Sequence, residues 1–331
     1  MVTMSDVARA AGVSTMTVSN VLNERRPVGA PTRERVLAAV ESLGYQVNLT
    51  ARNLRAGRTG TVALIVPSFF DYYSELADAV AREVEARGRH LVLERTTASA
   101  EQEMASVSGA RLQLYDGVIM SSVGLDRDEL DRVRGPKPIV LLGERDVPER
   151  FDHVRLANEA GAQAATGHLI ERGSRRVLAL GATPGDGHAM TTDRRVGWEQ
   201  AHRAAGLDID PRFVVPIGDY SFENARAALL RVIDSGLAFD GVFAATDVIG
   251  LAALGALHER GLSVPGDVRV AGFDNLKVGG FIPPGLTSID PDHEAVAREA
   301  VRLLHRRMDD PDAPAEHVSV PVQLVVRGST R

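Results

Sequence analysis

The sequence predicts an α/β protein in which a small all-α head precedes a larger body with two parallel sheets. The head is indicated by residues 3–44, where apolar residues recur at helical spacing. From Thr61 onward, nearly continuous apolar runs such as TVALIVP, GVIM and RVLALG alternate with helical stretches. That alternation is typical of parallel sheets covered by helices on both faces. It has enough units for two sheets, one starting at Thr61 and one near Asn158.

The head begins with a short helix and a sharp turn. Thr3 and Asp6 have the spacing of a capping box, and apolar residues follow at helical spacing up to Gly12. Gly12 is expected to end this helix, because glycine tolerates a positive φ. Ser14 can then cap a second helix over about residues 15–22.

A third helix is expected to begin near Pro31 and to end at Gly44. It would pack beneath the first two through its apolar side chains, which are Val36, Leu37, Val40 and Leu43. Two short helices with a tight turn and a supporting third helix form a helix-turn-helix unit. The second helix of such a unit enters the major groove of DNA. Helix spacing alone leaves open a small helical domain without a ligand.

Charge is unevenly distributed along the chain. Residues 1–58 hold eight arginines and four acidic side chains, so they carry a net charge of +4 while the whole chain carries −6. Such asymmetry is typical of an anion-binding end on an acidic body. The alternative is chance placement of arginines.

The residues of the head and of the segment after it resemble a known family. MSDVARAAGVSTMTVSNVLN and TRERVLAAVESLGYQVNLTARNLRAGRTGTVALIVP are similar to the opening of LacI/GalR-type transcriptional regulators. The resemblance implies a homodimer, most often a repressor, on a pseudo-palindromic operator. We expect DNA contacts from the exposed side of the second helix and from the segments around it, namely Ser5, Ser14, Thr15, Met16, Thr17, Ser19, Asn20, Asn23, Tyr45, Asn48, Arg52, Leu54 and Arg55.

Asn20 departs from the family pattern, which commonly has arginine at this position. Arginine pairs bidentately with guanine, whereas the shorter asparagine suits adenine. We therefore predict an operator half-site that differs from the family's common one at the base this residue meets.

The junction, residues 48–57, has the sequence NLTARNLRAG. Its leucines, Leu49 and Leu54, are unusual for a plain linker. The resemblance implies a hinge helix that enters the minor groove, with Leu54 as a wedge between base pairs, as in other minor-groove binders. A flexible tether with one stray leucine is the alternative.

The resemblance also implies how the chain is divided. We expect a helix-turn-helix domain at 1–47, a hinge at 48–59 and an effector-binding and dimerisation domain at 60–331. The body would have the two-lobed periplasmic-binding-protein-like fold, with lobe 1 at 60–157 and 288–319 and lobe 2 at 158–287 and 320–331. GFDN, IPPGLTSID and TTDRRVGW carry this part of the resemblance.

Polar candidates for a small effector, often a sugar in this family, follow strand ends, where open α/β sheets bind ligands. Asp274 ends VRVAGFD, Asp247 follows GVFAAT, and Arg194 begins RRVGW. Carboxylates accept hydrogen bonds from hydroxyl groups, and an arginine fork donates them. Asp247 could instead cap a helix and Arg194 could form a surface ion pair. Thr246 replaces an asparagine common in the family, which puts the identity of the effector in doubt.

Aromatic side chains could stack on a sugar face. The candidates are Phe70, Tyr72, Tyr73, Tyr220 and Trp198, with His293 at a position that is often apolar or aromatic in the family. Trp198 could equally belong to the core, and His293 could equally start a helix.

The sequence lacks the motifs that are typical of several other function classes. The chain has no cysteine, no H-E-x-x-H and no G-x-S-x-G, so we expect no metal, no cofactor and no enzyme activity. It also has no signal peptide at its start and no membrane-spanning apolar run, so we expect a cytoplasmic protein.

Two other function classes fit the sequence less well than a regulator. A solute-binding protein of a sugar transporter would share the body but has no use for a helix-turn-helix. An α/β enzyme would need a catalytic constellation.

Overall fold

The computed structural model describes residues 2–23, 27–45, 58–135, 137–183 and 189–331. They form two compact units, Met1–Thr59 and Gly60–Arg331. Within these ranges, none of the helices combines the length and the apolar composition of a membrane span.

In its described residues, the first unit forms three helices, α1 (Met4–Ala11), α2 (Thr15–Asn23) and α3 (Ala30–Leu43). The capping box is present, since the Asp6 amide donates to the Thr3 hydroxyl at 3.3 Å and the Thr3 amide donates to the Asp6 carboxylate at 3.0 Å. Gly12 ends α1 with a φ of 65°. Ser14 accepts from the Thr17 amide at 3.1 Å and so caps α2. These local signals are therefore confirmed.

The core of the first unit differs from the predicted one on α3. Val36 and Ala39 are buried and Val40 is partly buried, whereas Leu37 and Leu43 are 44% and 36% exposed. The prediction that both leucines pack inward was wrong. The buried face follows i, i+3, i+4 spacing from Val36, so Leu37 points about 100° away from it. Leu43 shares that face at i+7 but is the last residue of α3.

The second unit is built on two six-stranded sheets. The first contains β1 (Thr61–Val66), β2 (His90–Arg95), β3 (Gly117–Ser121), β4 (Ile139–Leu142), β5 (Asp152–Leu156) and β11 (His317–Val320), in the order β11-β5-β4-β3-β1-β2. All its strand pairs are parallel. The helices of this half, called lobe 1 below, are α4 (Tyr72–Glu85), α5 (Ala100–Ser106), α6 (Gly109–Leu112), α7 (Arg127–Arg132) and α12 (His293–Asp309).

The second sheet contains β6 (Val177–Leu180), β7 (Val214–Val215), β8 (Gly241–Ala244), β9 (Arg269–Phe273), β10 (Thr287–Asp290) and β12 (Gln323–Val325), in the order β12-β10-β9-β8-β6-β7. Its half of the unit, called lobe 2, includes α8 (Asn158–Glu171), α9 (Ala189–Ala204), α10 (Phe222–Asp234) and α11 (Asp247–Glu259), with short 3-10 turns at Pro211–Phe213 and Lys277–Gly280. Two parallel sheets were predicted, but the edge strand β12 pairs antiparallel with β10.

The chain passes between the sheets after β5, after β10 and after β11. Both late boundaries predicted from the sequence fall inside strands. Ser288 pairs with Gly272, so β10 belongs to the second sheet, and Val320 pairs with Leu156, so β11 belongs to the first. The neighbour with which a strand pairs decides which sheet it joins, and a short apolar run does not reveal that neighbour.

Candidate functional site

The helical head presents a polar face on α2. Ser14, Thr15 and Met16 are exposed, the last by 68%, while Thr17, Ser19 and Asn20 are partly exposed. Hydroxyl and amide groups can donate to or accept from base edges, and an apolar side chain can contact a thymine methyl group. The chemistry of this face therefore suits a major groove.

The other predicted DNA contacts divide into two groups. Ser5 is exposed on α1, and Tyr45 is partly buried against the head's core. The side chain of Asn23 and all of Asn48, Arg52, Leu54 and Arg55 lie outside the described residues.

A cavity of about 460 Å³ lies between the two lobes of the second unit. It has the size of a small-molecule site. Its walls come from the segments that follow the carboxyl ends of strands in both sheets, where ligands bind in open α/β folds. Seven of the ten predicted effector residues line it, and these are Phe70, Tyr72, Tyr73, Arg194, Tyr220, Thr246 and Asp274.

Arg194 is the most constrained of the polar lining residues. It is 3% exposed, and its Nε donates to Asn158 Oδ1 at 2.7 Å while Nη1 donates to the Ala245 carbonyl. Its Nη2 lies 3.5 Å from Asp274 Oδ1, and the guanidinium covers the ring of Phe273. Because four neighbouring groups hold it, the Arg194 guanidinium is pre-organised to donate hydrogen bonds to a ligand.

Two lining carboxyl groups are unusually basic. Burial raises the pKa of Asp274 to about 7, with Arg194 acting in the opposite direction. Burial also raises the pKa of Glu144 to about 7, opposed by the amide of Leu156, which donates to Glu144 Oε1 at 3.1 Å. When ionised, both carboxylates can accept a hydrogen bond from a hydroxyl group of a ligand.

Aromatic side chains form the wall on the lobe 1 side. Tyr72 and Tyr73 pack edge to face with ring centroids 5.2 Å apart, and the Tyr73 hydroxyl lies 3.2 Å from Ser121 Oγ. Phe70 is 72% exposed at the rim of the pocket. These rings offer an apolar surface that suits packing against the apolar face of a ring-shaped ligand.

Three predicted effector residues do not line the pocket. Trp198 is fully buried and donates from Nε1 to the Val177 carbonyl at 3.1 Å. Asp247 is also fully buried, where it accepts from the Leu276 amide at 2.7 Å and from Ser288 Oγ at 2.6 Å. The His293 ring packs against the Tyr72 ring, with centroids 4.8 Å apart. The prediction that these three residues line the effector pocket is therefore not met, because Trp198 and Asp247 are buried in lobe 2 and His293 packs against the wall residue Tyr72.

The pocket also contains residues that were not predicted. Asp71, Glu144, Arg145, Met190 and Val248 all line it. Glu144 follows the apolar strand IVLL by two residues, so the strand-end argument used for Asp274 would have found it. Across the described ranges, no three histidine or acidic side chains are grouped so that they could hold a metal ion.

Comparisons with known proteins match both units. A sequence profile described as bacterial regulatory proteins, lacI family, matches residues 3–48, and a periplasmic binding protein-like profile matches residues 166–330. The ribose operon repressor of Halalkalibacterium halodurans is 30% identical over 336 residues, which cover 100% of this chain and 98% of the repressor.

Two solved structures are similar over nearly the whole chain. A transcriptional regulator CelR–cellobiose complex is 33% identical with a TM-score of 0.72, covering 99% of this chain and 100% of the other. The Lac repressor dimer bound to operator and the anti-inducer ONPF is 25% identical with a TM-score of 0.84, covering 99% of each chain. The head and the two-lobed body therefore have counterparts in full-length relatives.

Proposed function

This chain belongs to the lacI family of bacterial regulatory proteins, and we propose that its interlobe pocket binds a sugar or sugar derivative that controls operator binding. The chain is a DNA-binding transcriptional regulator of the repressor type, with the helix-turn-helix head and effector-binding body of its relatives. It works as a homodimer on DNA, and we expect it to act in the cytoplasm.

The observation that carries the effector proposal is the Arg194–Asp274 pair beside the aromatic wall of Tyr72 and Tyr73. Sugars combine hydroxyl groups, which both donate and accept, with an apolar ring face. The arginine can donate, the carboxylate can accept, and the rings can cover the apolar face. The relatives support the same class, because one is a ribose operon repressor and another was solved with cellobiose.

For the head, we propose that α2 lies in the major groove with Met16 and Asn20 toward the bases. The two heads of a dimer would then read two half-sites related by the two-fold axis. The hinge proposal for Leu54 rests on the family resemblance, since this residue lies outside the described residues.

Control by the effector requires that it bind one lobe arrangement better than another. Such coupling between an effector site and a DNA site is typically worth about 1–3 kcal/mol. A pocket lined by both lobes suits this role, because a ligand that touches both favours their closed arrangement.

A thermal-shift screen of the full-length protein tests the effector class. The panel contains cellobiose, D-ribose, D-glucose and, as a different chemical class, hypoxanthine. A sugar at a hundred times its Kd should stabilise the body by about 2.7 kcal/mol. Stabilisation by hypoxanthine with no response to any sugar would contradict the proposed class.

A further inference from the structure

Glu103 on α5 is a buried carboxylate outside the pocket. Its side chain is fully buried, yet none of the described arginine, lysine or histidine side chains forms an ion pair with it. A buried carboxylate without a cation needs several hydrogen bonds to offset its lost hydration. Its partners therefore show what it holds in place.

All of those partners belong to one loop, which follows β3. Glu103 Oε1 accepts from the amides of Val123 at 3.1 Å and Gly124 at 2.9 Å. Glu103 Oε2 accepts from the Leu125 amide at 3.0 Å and from Ser122 Oγ at 3.3 Å. Three consecutive amides of this loop, residues 122–125, thus donate to one side chain.

The close approach of this loop to α5 is built into the sequence. A Cβ at Gly124 would lie 2.6 Å from the Ala100 amide nitrogen and 2.7 Å from the Ala98 carbonyl oxygen. Only glycine fits against the start of α5 at that distance. Glu103 and Gly124 together therefore determine where the loop lies.

The same loop forms part of the effector pocket. Ser122 and Val123 line the cavity, as does Ser121, whose hydroxyl meets that of Tyr73. The Val123 carbonyl accepts from Arg145, another lining residue. A shift of the loop would therefore move its own lining atoms and release the Arg145 side chain.

We infer that Glu103 is a positioning residue of the effector pocket, which holds the 122–125 loop and through it Arg145 in the geometry that receives the effector. The inference rests on the proposed effector function. It assigns a ligand-affinity role to a side chain that does not touch the ligand.

Glu94 provides a matched control. It is 8% exposed in β2 and accepts from the Tyr115 hydroxyl and from Arg111, which forms an ion pair with it at 2.9 Å. Neither Glu94 nor these two partners line the pocket. Replacing Glu94 by glutamine perturbs a buried carboxylate of the same lobe without touching the loop.

The test compares full-length Glu103→Gln and Glu94→Gln by hydrogen exchange and by calorimetric titration with cellobiose and D-ribose. We expect Glu103→Gln to speed exchange in residues 122–125 and to weaken sugar binding by about tenfold, because an amide cannot accept from all three backbone donors. We expect Glu94→Gln to lower the melting temperature but to leave the sugar Kd within about twofold. Glu103→Asp, which withdraws the carboxylate by one methylene, replaces Glu103→Gln if the latter does not fold.

Unchanged exchange at 122–125 in Glu103→Gln, or equal losses of sugar affinity in both glutamine variants, would overturn the inference. If the wild-type protein binds neither sugar, the proposed effector class loses its support. Exchange in residues 122–125 and 143–146 then decides the positioning role, because loss of the anchor should loosen both segments in Glu103→Gln only.

Discussion

Arg194 and Asp274 form a buried ion pair at the pocket, with Arg194 Nη2 and Asp274 Oδ1 3.5 Å apart and the two side chains only 4% and 7% exposed. Both partners come from lobe 2, one from α9 and the other from the residue after β9. Asp274 has a φ of 111°, which L-residues rarely adopt. Strained backbone at a buried charge pair is typical of a functional site.

Removing Arg194 should cost both stability and effector binding. Arg194→Ala leaves Asp274 without its cation and Asn158 without its donor, so we expect the free energy of unfolding to fall by about 3–5 kcal/mol. Urea denaturation measures this. Arg203→Ala on the same helix removes an exposed pair with Glu199 and should cost at most about 0.5 kcal/mol. Equal losses in the two variants would contradict the central role of the buried pair.

Glu144 should make stability depend on pH. Its folded pKa of about 7 lies above its ordinary value of 4.5, so the folded chain holds an extra proton between these pH values. The contribution of this group to the free energy of unfolding therefore falls as pH rises from about 4.5 to about 7. Glu144→Gln should flatten this dependence in urea unfolding, whereas Glu149→Gln at an exposed position should not. A profile that Glu144→Gln leaves unaltered would argue against a Glu144 that stays protonated in the folded chain up to about pH 7.

Effector affinity should depend on Phe70 but not on its neighbour. Phe70 lines the pocket and is 72% exposed, so Phe70→Ala should change the unfolding free energy by less than about 0.5 kcal/mol. Loss of its ring should weaken sugar binding by about 1 kcal/mol, or roughly fivefold, in a calorimetric titration. Phe69→Ala removes a 44% exposed ring that does not line the pocket, and it should leave the Kd unchanged. Comparable effects of the two variants would exclude stacking by Phe70.

Residues that directly follow apolar strands were predictable from the sequence. Asp274 and Thr246 line the pocket because the carboxyl ends of parallel strands meet at one edge of their sheet. Asp247 also comes shortly after an apolar strand, but it is the first residue of α11. Its side chain accepts a hydrogen bond from the Leu276 amide and does not face the pocket. Sequence position locates such a residue near the site but does not give the direction of its side chain.

Trp198 and Glu103 show where side-chain patterns mislead. Trp198 lies one helical turn after Arg194 on α9. The two residues are therefore about 6 Å apart along the helix axis, and at this distance the side chain of Trp198 lies in the core and not in the pocket. Glu103 follows Glu101 in a short polar segment that resembles a solvated helix face. Its burial arises from the fold of the loop after β3, about twenty residues later, which no local pattern contains.

Asn20 should alter the bases that the head selects. We predict that the wild-type protein, in a selection from random DNA, prefers adenine at the position read by residue 20, and that Asn20→Arg shifts the preference toward guanine by about 1–3 kcal/mol. Ala38→Arg adds the same charge at an exposed site on α3 and should leave the selected sequence unchanged. Selection of guanine by the wild-type protein would contradict this assignment.

We propose that a sugar in the interlobe pocket controls how tightly a dimer binds its operator. A fluorescence-anisotropy titration of a selected operator duplex at fixed salt tests this, with and without a saturating sugar that calorimetry has shown to bind. We predict two protomers per duplex and a change in operator affinity of roughly 5- to 150-fold when the sugar is present. An operator affinity that stays the same at saturating sugar would show that the sugar does not control DNA binding.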